Sequence, residues 1–362
     1  MRLVRIPSTR LLEEREGLAR FVEVRDAIYR DDYYYYAEKD TERLLLSYYA
    51  ERPDYRFELI LAEDDSGRDV ARVLVGRCEA LSFGFFGFFE CPADAGSFAE
   101  LMNEAERVAR GFGASELLGP IDLNALHNWQ FLTFSDTEER WVGDPYHRPY
   151  YPELFARAGW EIADESTSGL LNEDVQRSLL TALPETLREI EASGMRLLRR
   201  DEISLEKMLP KAWQLSREVF GPDANRFVPV DFEIFRAQVE PVLRMVDDPC
   251  STLCLFRGDD LVGYALSYPN FIHRLCNPDG MKTPPSIVPS ALTFSAKTVA
   301  VAPSYRGGAA WRALFLSLID RYLGRFDGHG GWRRSNVKNE SINRFRRVGR
   351  VTQRYATFRK AI

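Results

Sequence analysis

The segment Lys297–Ile319, KTVAVAPSYRGGAAWRALFLSLI, decides how the chain is read. Its first residues are β-branched and apolar, the composition of a strand, and Pro303 ends it. SYRGG then supplies a glycine-bearing turn, and apolar residues recur at helical spacing from Ala309 onward. A strand, a tight turn and a helix in that order leave the helix's first N–H groups unpaired at the turn, where they can receive a phosphate. Gly307, Gly308, Ala309 and Ala310 are small enough for a ligand to come close to the backbone, and Arg306 adds a positive charge. The same pattern also serves as a plain connection, and the segment alone leaves both readings open.

Outward from this segment, each half of the chain shows the same order of elements. In the first half, helical patterns cover Leu11–Tyr29 and about Thr41–Tyr49, and strand patterns cover Phe57–Asp64, Val70–Ala80 and Phe83–Glu90. A helix follows over Ser97–Gly113 with Ser97 as its N-cap, then a short strand at ELLGPI, a long irregular stretch from Asp122 to Pro149 and a helix over Pro149–Trp160. In the second half, helices cover Ser204–Phe220 and Asp231–Val246, and a hairpin with a Gly258-Asp259-Asp260 turn covers Thr252–Phe271. A loop rich in Pro and Gly, the strand Ala291–Pro303, the helix already described, a helix over Asn339–Gly349 and a strand over Val351–Lys360 complete it. The expectation is a mixed α/β (α+β) fold in two tandem domains, 1–180 and 190–362. Their join lies near Gly169–Ser193, in a connecting helix broken at Pro184.

The chain has 362 residues and a net charge of −6, whereas a dedicated nucleic-acid binder is usually basic. Basic residues do gather in Trp332–Arg350, which reads either as a solvated helix face or as a contact for an anionic ligand. The five Cys form no metal-binding pattern and read as reduced thiols. His127, His147, His273 and His329 are scattered, so no metal is expected. The opening residues lack the apolar core of a secretory signal, and no run approaches the roughly 18 apolar residues of a membrane span. A cytoplasmic protein is expected.

Lys297–Ile319, the hairpin before it and the helix–strand after it resemble the GCN5-related N-acetyltransferase (GNAT) superfamily. In that family the loop usually reads Arg or Gln, two residues, Gly, one residue, then Gly or Ala. Arg306 fits the first position. Without a gap, Ala309 stands where the Gly belongs and Trp311 where the last small residue belongs. A one-residue deletion puts Gly308 and Ala310 there instead, at the expense of the helix register at Leu314. The resemblance implies acetyl-CoA or another acyl-CoA as co-substrate. Its pyrophosphate would lie on Arg306, Gly307, Gly308, Ala309 and Ala310, its thioester beside the strand backbone at Thr298, Val299 and Val301, and its pantetheine near Asn339 and Ser341. Many members carry a Tyr near the end of the Asn-led helix as general acid. Phe345 and Arg346 occupy those positions here, so Tyr355 on the last strand is the nearest candidate, with a half-buried strand Tyr as the plain alternative. No general base stands out.

Over about Phe21–Asp164 the first half resembles a second, more specific group, uncharacterised bacterial acetyltransferase-like proteins with a GFFGFFE-like strand, a later GP, and YNPPYY followed by a helix ending in Gly-aromatic; Gly87–Glu90, Gly119-Pro120 and YHRPYYPELFARAGW (Tyr146–Trp160) are the matches here. This half carries no Arg-led, Gly-rich turn and is read as a degenerate copy that shapes a substrate cleft, with Tyr146, His147 and Tyr150 as lining candidates; for His147 a hydrogen-bonded structural role is the plainer reading. The expected reaction is direct acyl transfer from acyl-CoA to a small-molecule or peptide amine. Two rivals remain: an aminoacyl-tRNA-dependent transferase of the Fem type, and a non-catalytic binding protein that has lost its cofactor.

Overall fold

Alternation and β-branched residues make Tyr55–Glu63 (β2) and Asp69–Cys78 (β3) an antiparallel hairpin around the Asp64–Gly67 turn, where Gly67 holds a positive φ of 80°. The computed structural model describes residues 1–136, 140–221, 226–246, 252–276, 294–323 and 330–362. By internal contacts the chain divides into two units: Met1–Glu165 with Ile272–Val288 and Tyr355–Ile362, and Ser166–Phe271 with Pro289–Arg354.

In the first unit the strand order is β1–β2–β3–β4–β5–β13, with β1 Arg2–Pro7, β4 Gly84–Glu90, β5 Glu116–Gly119 and β13 Arg350–Ala361. A further strand absent from the sequence reading, β6 (Phe131–Ser135), lies inside the supposedly irregular stretch and pairs with β13. β1 was also missed, and the first helix starts at Arg15 rather than Leu11. Cross-strand ion pairs, Arg2 with Glu63 and Arg5 with Glu58, mark the register of β1, so no hydrophobic alternation announces it. The helix Ala95–Gly111 begins before Ser97, because the Asp94 carboxylate accepts the Ser97 N–H at 2.7 Å and is the cap. Phe86, Phe89, Phe98, Phe131, Phe155 and Trp160 form the core beneath it, with Phe86 and Phe155 stacked at 5.0 Å.

The second unit's sheet runs β7–β12–β11–β10–β9–β8: β7 Glu161–Leu171, β12 Gly330–Asn336, β11 Phe294–Val301, β10 Asp260–Pro269, β9 Thr252–Arg257 and β8 Met195–Arg199. The expected connecting helix, broken at Pro184, is two helices, Glu173–Leu180 and Leu183–Ala192, with Pro184 in the second one's first turn; the strand β7 before them was not expected. The Trp332–Arg350 run is not one helix face: its first residues are in β12, where Arg333 is buried against Gln353, and only the later ones form the helix Glu340–Val348. No helix among the described residues is long and apolar enough to cross a membrane.

Candidate functional site

β11 pairs with β10 along its whole length, but with parallel β12 only at Phe294, Ser295 and Ala296. Beyond Ala296 no described strand pairs with its other edge. The bond from Ala302 N–H to the Val262 carbonyl, 2.9 Å, fixes the alternation. Ala300 and Thr298 face β10 in the same sense, so the N–H groups of Val299 and Val301 face the open edge. Of the strand residues expected near a thioester, these two present donors and Thr298 does not.

From β11 the chain passes through a short 3₁₀ turn, Pro303–Tyr305, into an extended Arg306 and then Gly307, whose φ of 78° is left-handed and open around a would-be Cβ. Gly308 precedes the helix Ala309–Tyr322, and no side chain caps it. Arg306, Gly307 and Gly308 are exposed, Ala309 is half-buried, and Ala310 is buried in the core. The Arg306 guanidinium reaches the Val219 carbonyl at 3.4 Å. Trp311 lies along the helix flank, stacked on Phe315 at 5.1 Å and tilted against Phe345 at 5.6 Å. These rings join the helices on either side of β12.

Asn339 is exposed and leads the helix Glu340–Val348, its carbonyl accepting the Asn343 N–H. Ser341 lies in that helix, but its side chain is outside the described residues, as are the side chain of His273 and all of His329 and Cys250. Arg346, on the basic helix, donates to Thr167 and Asn343 and to the carbonyls of Ser335, Asn336 and Val337. Tyr355 is fully buried, groups with the first unit, and donates to Asp144 at 3.1 Å. The turn residues belong to the second unit.

The first unit holds a different constellation. β4 and β5 pair in parallel only at Gly84 and Phe85. Past them the chain itself follows the edge: Ile121 N–H bonds the Phe86 carbonyl, and Asp122 Oδ1 takes the Phe88 N–H at 2.6 Å. A Cβ on Gly87 would meet the Ile121 carbonyl at 2.2 Å, which accounts for glycine there. Phe88 sits at a φ of 48°, within a bulge that sets Glu90 directly opposite Arg72. Arg72, 1% exposed, grips Glu42 through both terminal nitrogens at 2.7 and 3.1 Å. Arg25 bonds Glu42 at 3.1 Å and Glu38 at 3.2 Å. Glu90 accepts the hydroxyls of Tyr29 at 2.6 Å and Tyr151 at 2.8 Å, and burial raises its pKa. Burial likewise raises that of Asp122, whereas Arg72 and Arg25 outweigh burial at Glu42 and lower its pKa.

Two of the three expected lining residues border this cluster. Tyr146 donates to Asp32 at 3.1 Å, and its ring meets Tyr29 at 5.4 Å. His147 Nε2 accepts the Leu132 N–H, Nδ1 faces the Arg148 carbonyl, and burial pushes its pKa down to about 4. The third, Tyr150, donates to the Cys91 carbonyl at 2.8 Å. The sequence reading missed Arg25, Arg72, Glu90 and Gln130. A signal existed for two of them: Arg72 interrupts the apolar run VARVLVG, and Glu90 ends the aromatic strand GFFGFFE.

No family model matches the chain, and no curated protein matches it in sequence. Solved structures do match in fold. A tandem GNAT protein from the clavulanic acid biosynthesis pathway, solved without AcCoA, is 12% identical, with 99% of this chain and 98% of that one covered at a TM-score of 0.52. A conserved protein of unknown function from Enterococcus faecalis V583, described as a probable N-acyltransferase, is 9% identical, with 100% and 73% covered at a TM-score of 0.56. The fold is that of a tandem GNAT protein, in agreement with the expected class.

Proposed function

We propose that the chain is an N-acyltransferase whose second unit binds an acyl-CoA and passes the acyl group to an amine. The observation that carries this reading is the open edge of β11, with the Val299 and Val301 N–H groups facing it, followed by an exposed glycine turn into a helix that no side chain caps. The residues fit the co-substrate. Gly307 and Gly308 leave room for a pyrophosphate on the helix N–H groups. Trp311 lies against Phe315 and Phe345. In the transfer, the thioester oxygen takes a backbone donor from Val299 or Val301, the neutral amine attacks the carbonyl carbon, the C–S bond breaks and the thiolate leaves. The proton lost from nitrogen passes to solvent.

The helix Ala95–Gly111 of the first unit is an unsuitable pyrophosphate site, because the Asp94 carboxylate caps it. A second reading, a binding protein that has lost its cofactor, draws on the ring cluster of Trp311, Phe315 and Phe345 that ties together the two helices flanking β12. The Fem-type reading loses support from Arg346, whose guanidinium is engaged within its own unit. Calorimetric titration of the full chain with acetyl-CoA decides between enzyme and relic. Binding is expected; no binding by the wild type together with binding by Trp311→Gly would establish the relic.

A further inference from the structure

Two adjoining cavities in the first unit share Arg25, Pro145 and Tyr146. The inner one, about 30 Å³, has Glu90, Asp122, Gln130 and Arg72 in its wall. That is room for one or two water-sized groups. The outer one is walled by Tyr34, Tyr35, Tyr36 and Trp141, with Glu38, Asp144 and Arg140 beside them.

Two features say what this cleft is built to hold. The first is charge. Glu38, Asp144, Glu90 and Asp122 line the two cavities with the guanidiniums of Arg25, Arg72 and Arg140, and Glu42 pairs with Arg25 and Arg72, so five carboxyl groups stand against three guanidiniums. The second is Gln130, which is 1% exposed and has no hydrogen-bond partner at either its Oε1 or its Nε2. A buried amide without partners is costly, and it lines the inner cavity. Arg25 Nε and Arg72 Nε also make no hydrogen bond, although Arg25 Nε stands 3.9 Å from a Glu90 carboxylate oxygen, and donors left over on their own would suit an anion. An anion, however, would lie beside Glu90 and Asp122, and the aromatic faces of the outer cavity attract positive charge instead. An ammonium group offers three donors and no acceptor, matching the carboxylates and the Gln130 Oε1.

We propose that this cleft binds an organic monoamine in its ammonium form, the head group among Glu90, Asp122 and Gln130 and the alkyl part between Tyr35, Tyr146 and Trp141. This inference does not depend on acyl-CoA binding by the second unit. The test is calorimetric titration of the full chain at neutral pH with n-butylamine, and with butanol and butyrate as neutral and anionic counterparts. Butylammonium alone should bind at millimolar concentration. Glu90→Gln should weaken it by about ten- to a hundred-fold, the range for a charge-assisted contact. Gln130→Leu should weaken it too without lowering the thermal midpoint, since it removes an unpartnered buried amide. Butanol or butyrate binding as tightly as the amine, no binding by folded protein, or unchanged affinity in both variants would each overturn the proposal.

Discussion

Arg72→Met is the sharpest probe of the first unit's buried charge. The two terminal nitrogens of the guanidinium are engaged by Glu42 at 2.7 and 3.1 Å and the Phe21 carbonyl at 3.0 Å, and the group lies against the rings of Phe21 and Phe88 at 4.9 and 5.8 Å. Methionine keeps the stem volume and removes the charge. Glu42 is then left buried with only Arg25 at 3.1 Å, and breaking a buried pair from one side costs about 3–5 kcal/mol. Arg72→Met/Glu42→Leu removes both partners and should cost less than Arg72→Met alone, because an apolar replacement of a buried pair is often neutral. Two-state unfolding is a poor measure for a chain of two units, so the readout is hydrogen exchange of β2, β3 and β4 amides by mass spectrometry. At about 1.4 kcal/mol per decade, the single variant should speed global-opening exchange there by roughly two to three and a half decades. Acidification should act in the same direction. The folded pKa of Glu42 is depressed, so its contribution is present above the unfolded value of about 4.3 and is lost as pH falls through the folded value. A single-variant change below tenfold, or a double variant that costs the sum of its parts, would refute the reasoning.

Three further outcomes are expected. Arg306→Ala should weaken acetyl-CoA binding by about ten- to a hundred-fold in calorimetry while leaving the thermal midpoint unchanged, because its one described contact is an exposed 3.4 Å bond to the Val219 carbonyl. Gly307→Ala meets open space but a φ of 78°, so it should cost about 1–2 kcal/mol in backbone strain and register as a lower thermal midpoint of the second unit. His147, held down to about 4 by burial, stabilises the fold as its neutral form, and that contribution should fade as pH falls from about 6.5 through about 4. His147→Phe should flatten this part of the acid profile, as followed by circular dichroism.

The elements that were legible are those whose own residues state their period. The hairpin β9–β10 announces itself through Gly258, which takes a φ of 58° in its turn, and the helix after β11 through its apolar repeat. β7 was missed because EIADESTSGLL is poor in strand formers. Its partner supplies the reason: Gly169 lies under the Trp332 indole, where a Cβ would meet the ring at 2.3 Å, and Thr167 Oγ1 accepts the indole N–H at 3.3 Å. Small and hydroxylic residues are therefore what this strand needs, and only the tertiary contact makes that visible. Gln130 was illegible for a related reason, since its burial depends on how the 120–131 segment folds back along β4.

The two units use the same strand edge in opposite ways, and the difference rests on a few residues. In the first, Asp122 takes the Phe88 N–H and Ile121 bonds Phe86, so the edge that splays from β5 is occupied by the protein's own chain. That leaves no donors for a thioester there, and the adjoining helix start is held by Asp94. What remains is a buried set of carboxyl groups short of cations. In the second unit no described strand or carboxylate covers Val299 and Val301, and the following helix begins at bare glycines. A group that binds by accepting backbone hydrogen bonds is suited to the second edge, and one that brings positive charge is suited to the first. Acyl-CoA and an ammonium ion are ligands of these two kinds, so titrating the full chain with each, separately and in either order, tests the two assignments independently.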